Sequence, residues 1–236
     1  MLEFYGHCAF RWTSTAGIRV LIDPFQNDLP RANWFEAPFP AVDAELVVIT
    51  HDHFDHNAWE SLSPYATVLR GPGRFAVDDV VAEGVRDVHS RYQAPRLKRN
   101  TMFNLEIDGV RYCHIGDNRA EMPDAVVEAL GRIDVLMVTV DDSCHLLSYP
   151  EVDQVIERLQ PRIVIPMHYF HAGVTTVESG LEACEGWLAT QPLVNRLAAS
   201  QVSLTATELP AKREVWVMEL SLASTQVASD EVVATD

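Results

Sequence analysis

Short runs of β-branched and aromatic residues dominate the first quarter of the chain: FRWT (10–13), GIRVLID (17–23) and ELVVIT (45–50). They predict strands, and the last, apolar almost throughout, predicts one covered on both faces. Between them DPFQNDLPRANWFEAPFP (23–40) is rich in Pro and Asn, which predicts a surface loop able to rim a site. Next come a short helix start in SLSP (61–64), a strand at ATVLR (66–70), a turn at Gly71-Pro72-Gly73 and a second strand ending near His89. In NLEIDGVRYCHIGDN (104–118) alternating residues flank Asp108-Gly109, a pair suited to a type I′ turn. A hairpin is predicted there, and its outgoing strand delivers His114 and Asp117.

The remainder alternates. EMPDAVVEALGR (121–132) predicts a helix, DVLMVTV (134–140) a strand, SYPEVDQVIERLQ (148–160) a helix with Pro150 early, and RIVIPMHY (162–169) a strand. VESGLEACEGWLATQ (177–191) predicts a third helix, and VSLTATEL (202–209) and EVWVMEL (214–220) predict closing strands. Residues 221–236 are small, polar and acidic, the composition of a disordered tail. Strands first, then β/α alternation, point to an α+β protein of packed sheets with helices on their outer faces.

Composition narrows the partners. A chain of 236 residues suits one domain, taken as residues 1–220. With 34 Asp and Glu against 18 Lys and Arg, the formal charge is -16. Such a surface repels nucleic acid and anionic membranes, so neither is expected as a partner. The start MLEFYGHCAFRW has no basic region followed by an apolar stretch, and no segment approaches the roughly 18 apolar residues of a membrane span. A soluble cytoplasmic protein is expected, and a homo-oligomer remains open. Cys8, Cys113, Cys144 and Cys184 form no CxxC pair and read as buried reduced thiols.

The chemistry concentrates in THDHFDH (50–56), directly behind the apolar run. In extended backbone, residues two apart point the same way, so His51 and His53 can address one point while Asp52 and Phe54 face elsewhere. Where the chain then turns, Asp55 and His56 can address a second. HxHxDH after an apolar strand is a specific signal for metal, and two centres follow from the arithmetic. Imidazole and carboxylate donors suit zinc, with manganese or iron as alternatives. Further ligands must come from other strand ends, where His89, Asp117 and His168 lie.

Together THDHFDH, VHS, CHIGDN and IPMHY, in that order, resemble the metallo-β-lactamase superfamily. GHCAFRW, LIDPF, the GPG turn, NLEIDGVRYCHIGD and LQPRIVIPMHY resemble its small metal-dependent hydrolase branch, to which L-ascorbate-6-phosphate lactonase is related. The resemblance spans about residues 1–220. It implies an αββα sandwich with a dinuclear site at one edge. His51, His53 and His89 would hold the first metal, Asp55, His56 and His168 the second, and Asp117 would bridge. His114 is the rival of His89, but in a strand it points away from the face of Asp117. His7 would sit close to the site without ligating, and Asp23 would fix a turn or hold a ligand histidine.

The expected reaction is attack by a metal-bridging hydroxide, oriented by Asp55 as the catalytic carboxylate, on a small lactone or ester that can be anionic. Arg91, with Arg96, Lys98 and Arg99, could grip a phosphate or carboxylate or simply be solvated. His145, with Asp141 and Asp142, could add polar contacts to substrate, and Tyr169 could line the pocket or pack. Two departures weaken the lactonase analogy: DDSCHLL (141–147) stands where relatives have a Gly-containing segment, and Asn118 stands where a hydroxyl residue is usual. A small-molecule phosphodiesterase or nuclease-type phosphoester hydrolase is the alternative enzyme. A metal- or redox-sensing protein is the alternative of another class.

Overall fold

A computed structural model describes residues 1–62, 66–91 and 99–221. Arg96, Lys98 and all but the first residue of the expected tail lie outside the described residues. The amino-terminal part gives β1 (Leu2–Gly6), β2 (Ala9–Thr13), β3 (Arg19–Ile22), β4 (Leu46–Ile49) and β5 (Thr67–Arg70). The middle gives β6 (Gly73–Val77), β7 (Val80–Val88), β8 (Arg99–Ile107), β9 (Val110–His114), β10 (Val135–Thr139) and β11 (Ile163–Met167). Three short strands close the chain: β12 (Val194–Arg196), β13 (Gln201–Val202) and β14 (Glu214–Val217).

These strands make two mixed sheets. One has the order β13-β1-β2-β3-β4-β5, the other β12-β14-β11-β10-β9-β8-β7-β6. The sheets meet face to face, with Trp12 against Tyr112 (ring centroids 5.6 Å apart) and Phe10 against His114 (5.9 Å). Alternation explains the pairing, since residues 10 and 12 share one face of β2 and residues 112 and 114 one face of β9. Helices are few: α1 (Asp124–Leu130) packs on β7, α2 (Tyr149–Leu159) on β10, and α3 (Glu185–Leu188) meets α2 through a Trp187–Asp153 hydrogen bond. In α2, Ser148 and Glu151 form the starting cap, and Val152, Val155, Ile156 and Leu159 form the buried stripe. The architecture is the expected α+β sandwich.

Strand direction positions the site. β7 and β9 are each antiparallel to β8, so they run the same way, and β10 and β11 continue parallel to β9. Their carboxyl ends therefore share one edge. His89, Asp117 and His168 follow β7, β9 and β11 there, and His51 follows β4 of the other sheet.

Some elements differ from expectation. β1 was not anticipated; it is buried along its whole length and pairs with β2. The strand expected before His89 is a hairpin, β6 and β7, turned at Asp78 with φ 47°. The helix expected over 177–191 is only a 3-10 turn, Val177–Ser179, and the short α3, because Gly180 takes φ 68° between them. The strand expected over 202–209 shrinks to β13, since Glu208 accepts from the Thr205 backbone and hydroxyl and closes a turn. The 23–40 loop is less superficial than its composition suggests, because Phe25, Phe35 and Phe39 are buried. Cys8, Cys113 and Cys184 are buried free thiols, but Cys144 sits half-buried in a turn with φ 54°. No described helix is long and apolar enough to cross a membrane.

Candidate metal centre

Two groups of side chains gather at the shared edge. In the first, ligand atoms of His51, His53, His89 and Asp117 all lie within 4.8 Å of one another; in the second, those of His7, Asp55, His56 and His168 do the same. Asp117 belongs to both neighbourhoods. Its Oδ2 is 3.1 Å from His89 Nε2, 3.5 Å from His51 Nε2 and 3.8 Å from His168 Nε2, while its Oδ1 is 3.3 Å from His56 Nε2. Asp55 Oδ2 anchors the second group, 3.1 Å from His7 Nε2, 3.5 Å from His56 Nε2 and 3.7 Å from His168 Nε2.

The rings are aimed from behind. Asp23 Oδ2 accepts from His56 Nδ1 at 2.8 Å and from the Thr50 hydroxyl at 2.6 Å, and Thr50 Oγ1 lies 3.0 Å from His51 Nδ1. Because the Thr50 proton is committed to Asp23, its oxygen accepts from His51. One buried carboxylate thus fixes two imidazoles with their Nε2 atoms turned inward, the arrangement that orients metal-binding histidines. Asp23, His7 and His168 hold φ of 46°, 52° and 64°, an unfavourable region for residues with a Cβ, and the His168 N–H donates to the His7 carbonyl at 2.9 Å.

His114 is used elsewhere. It donates from Nε2 to the Cys8 carbonyl (2.9 Å) and accepts the Gly116 N–H at Nδ1 (3.1 Å), so both ring nitrogens are committed to backbone. His89 is the ring brought to Asp117. It is held there by an isolated bridge between His89 and Asn118, whose amide bonds Asp87 and accepts from Asn100.

Charge is distributed unevenly. Burial alone would raise Asp117 and Asp55, but the charge of His56 first, with His168 and His51 beside Asp117 and with His168 and the His7 hydrogen bond beside Asp55, holds both well below the usual carboxylate range. Burial pushes His56 and His168 down, yet Asp117 and Asp55 outweigh it and both end raised. His51 is lowered chiefly by burial, and His53 falls to about 4 through burial and the neighbouring His51. His7 falls to about 3 through burial and His168, so it is neutral and its Nε2–H donates to Asp55.

This donor set fits divalent cations. Among the described residues, His56 Nε2 and Asp117 Oδ1, buried 3.3 Å apart, have no hydrogen-bond partner, a costly state unless a cation lies between such groups. Cys8 is the unanticipated neighbour, with His56 and Asp117 around its thiol. Nothing in the sequence around it signals this, since its placement follows from the β1–β2 turn.

The other expected residues divide. His145 is exposed at the rim, its ring 5.7 Å from that of His168 and 5.7 Å from that of Trp34. The 23–40 loop supplies this Trp34, which also packs on Phe54, so the loop does rim the site. Arg91 is exposed and donates to the Cys144 carbonyl at 3.3 Å, with its backbone N–H on His89 Nδ1 at the same distance. Asp141 is buried and accepts from Ser143 and the His145 N–H, and the half-buried Asp142 accepts from the Tyr149 hydroxyl and Gly186 N–H. Tyr169 is buried against Phe4 and lines a separate cavity, so the structure does not bring it to the cluster.

Two mixed sheets packed into a sandwich, with a His/Asp cluster at their common edge, define a fold of the metallo-β-lactamase type. The family model described as "Beta-lactamase superfamily domain" matches residues 1–168, and the chain belongs to that family. It is similar to the UPF0173 metal-dependent hydrolase of Thermococcus onnurineus, 29% identical over 194 residues, covering 71% of this chain and 84% of that protein. The corresponding protein of Pyrococcus furiosus is 29% identical over 193 residues with the same coverage. A solved structure from the metallo-beta-lactamase superfamily of Thermotoga maritima matches with TM-score 0.72 and 27% identity, covering 93% of this chain and 98% of that one.

Proposed function

We propose that the protein is a dinuclear metal-dependent hydrolase acting on a small lactone or ester. His51, His53 and His89 would hold one ion and Asp55, His56 and His168 the other, with Asp117 shared between the two groups. The observation that carries this reading is Asp117 itself, with Oδ2 toward His51 and His89 and Oδ1 toward an unbonded His56 Nε2. The donor types suit zinc first, then manganese or iron. The names of the archaeal relatives support metal-dependent hydrolysis, and the description of the Thermotoga maritima neighbour proposes zinc.

When bound, such ions lower the pKa of a water and polarise the oxygen of the bond under attack. The chain's own residues do the rest. Asp55, ionised and steadied by the His7 N–H, orients the attacking water and takes up its proton. Asp23, directly at His56 and through Thr50 at His51, keeps both rings from turning. Trp34 and Phe54 wall one side of the mouth beside His145, and His145 and the exposed Arg91, anchored on the Cys144 carbonyl, are the groups proposed to meet a small-molecule substrate.

The test is a panel of lactones, esters, thioesters and phosphodiesters given to the metal-loaded chain. Turnover of a lactone or ester is expected, with a loss of roughly 10²–10⁴-fold in Asp55→Asn, the range for removing a general base. No turnover of any panel member at full metal occupancy would overturn the assignment.

A further inference from the structure

Beside the first ligand group opens a cavity of about 560 Å³, lined by His51 and His53 and by three arginines, Arg70, Arg86 and Arg99. We propose that these arginines form an oxyanion-binding subsite that seats a dianionic group of the substrate, of the phosphate monoester type, next to the metal centre. The proposal rests on the hydrolase reading for its role in catalysis, but not for its existence as a binding site.

Three elements build the cluster. Arg70 ends β5, the edge strand of the first sheet. Arg86 on β7 stands opposite Thr101, and Arg99 on β8 opposite Val88. Side chains alternate along strands, and directly paired residues share a face, so Arg86, Thr101 and Arg99 project from the same side of the ribbon. Arg70 is held in place by Asp52 at 2.9 Å, by Asn57, and by the Trp59 ring 5.2 Å beneath its guanidinium. Two glycines make room. A Cβ on Gly71, where φ is 108°, would come within 3.0 Å of Arg86 Nη2, and one on Gly84 within 2.6 Å of the Gly71 carbonyl.

The charges are the decisive feature. In this acidic chain the described arginines mostly have carboxylate partners, as Arg11 has Glu3, Arg119 has Asp87 and Arg213 has Glu157. Among the described residues, the side chains of Arg86 and Arg99 have neither an ion pair nor a hydrogen bond, though 34 carboxylates were available to evolution for pairing. Around the cavity three guanidinium groups face one carboxylate, Asp52, a local excess of two positive charges. Guanidinium groups present parallel N–H donors that match carboxylate and phosphate oxygens. An excess of two suits a dianion better than a monoanion. A substrate seated there would lie directly beside His51 and His53 of the first ligand group.

The test titrates inorganic phosphate into the metal-loaded full chain at pH 8, with calorimetric detection. Wild type is compared with Arg86→Gln/Arg99→Gln and with His168→Ala, which alters the second ligand group without touching this cavity. The proposal expects millimolar or tighter binding that weakens at least tenfold in the double arginine variant and persists in His168→Ala. The arginines are exposed, and matching thermal unfolding of the double variant verifies its fold. Equal phosphate affinity in wild type and the double variant would overturn the subsite, as would binding lost only in His168→Ala or no binding by wild type. Arginine-dependent binding by a protein that hydrolyses nothing in the substrate panel would sustain the subsite and remove the hydrolase reading alone.

Discussion

Asp23 faces away from any substrate, yet it holds His56 directly and His51 through Thr50. A single side chain thereby sets the ring orientation in both ligand groups. The same groups differ in protonation. His51 and His53 are lowered and so neutral near pH 7, whereas His56 and His168 are raised by Asp117 and Asp55. A ligand histidine must lose its proton before it binds a metal, so acidification weakens binding where the pKa is raised and spares it where the pKa is lowered. From metal-free protein near pH 6.5, the first equivalent should enter at His51 and His53 with little proton release. The second should expel protons from His56 and His168 and tighten as pH rises. Calorimetry in two buffers of different ionisation enthalpy counts those protons, and equal release in both steps would contradict the assignment. At this scale the sequence was informative where ligands cluster, as in HxHxDH, and poor where a role depends on a partner far along the chain. Cys8 reaches the centre only through the β1–β2 turn, and Arg86 comes to the same cavity as Arg99 only through a strand register that no local pattern reveals.

Among the elements, the end of β9 carries the most consequence. Gly116, at φ 54°, lies between His114 and Asp117, and a Cβ there would fall 2.5 Å from Asn100 Oδ1 and 2.7 Å from Thr50 Oγ1. Gly116→Ala should therefore cost roughly 1–3 kcal/mol of stability by overpacking and should reduce metal content, since it pushes on both Thr50 and the segment holding Asp117. A variant with unchanged unfolding temperature and full metal content would show that the turn is not confined in this way. Strands that end in His or Asp were legible from β-branched runs followed by polar clusters, and the Asp108-Gly109 hairpin from its turn chemistry. The competition between His89 and His114 also follows from strand alternation, which puts His114 in the intersheet core beside Phe10. Short edge strands and the fragmented 177–191 segment were not legible, because Glu208 closes the turn after β13, Gly180 breaks the helix with a positive φ, and Asp142, far along the chain, caps the start of α3.

Across the whole molecule, a charge of -16 coexists with a His/Asp cluster that could hold cations and a cavity with a cationic lining. The surface charge opposes polyanions, while local fields at the edge of the sandwich can favour a small anion, since fixed charges and bound ions dominate at short range. The sandwich itself accounts for the assembly of the site. Parallel alignment of β7, β9, β10 and β11 delivers three distant segments to one edge, and β4 brings the fourth from the opposing sheet. Asp117 is proposed to join the two ligand groups into one dinuclear centre. Elemental analysis after metal loading and removal of excess tests it most directly. Two divalent ions per wild-type chain are expected, with less than half that content retained by Asp117→Ala; a single ion in wild type, or an unchanged content in the variant, would contradict it.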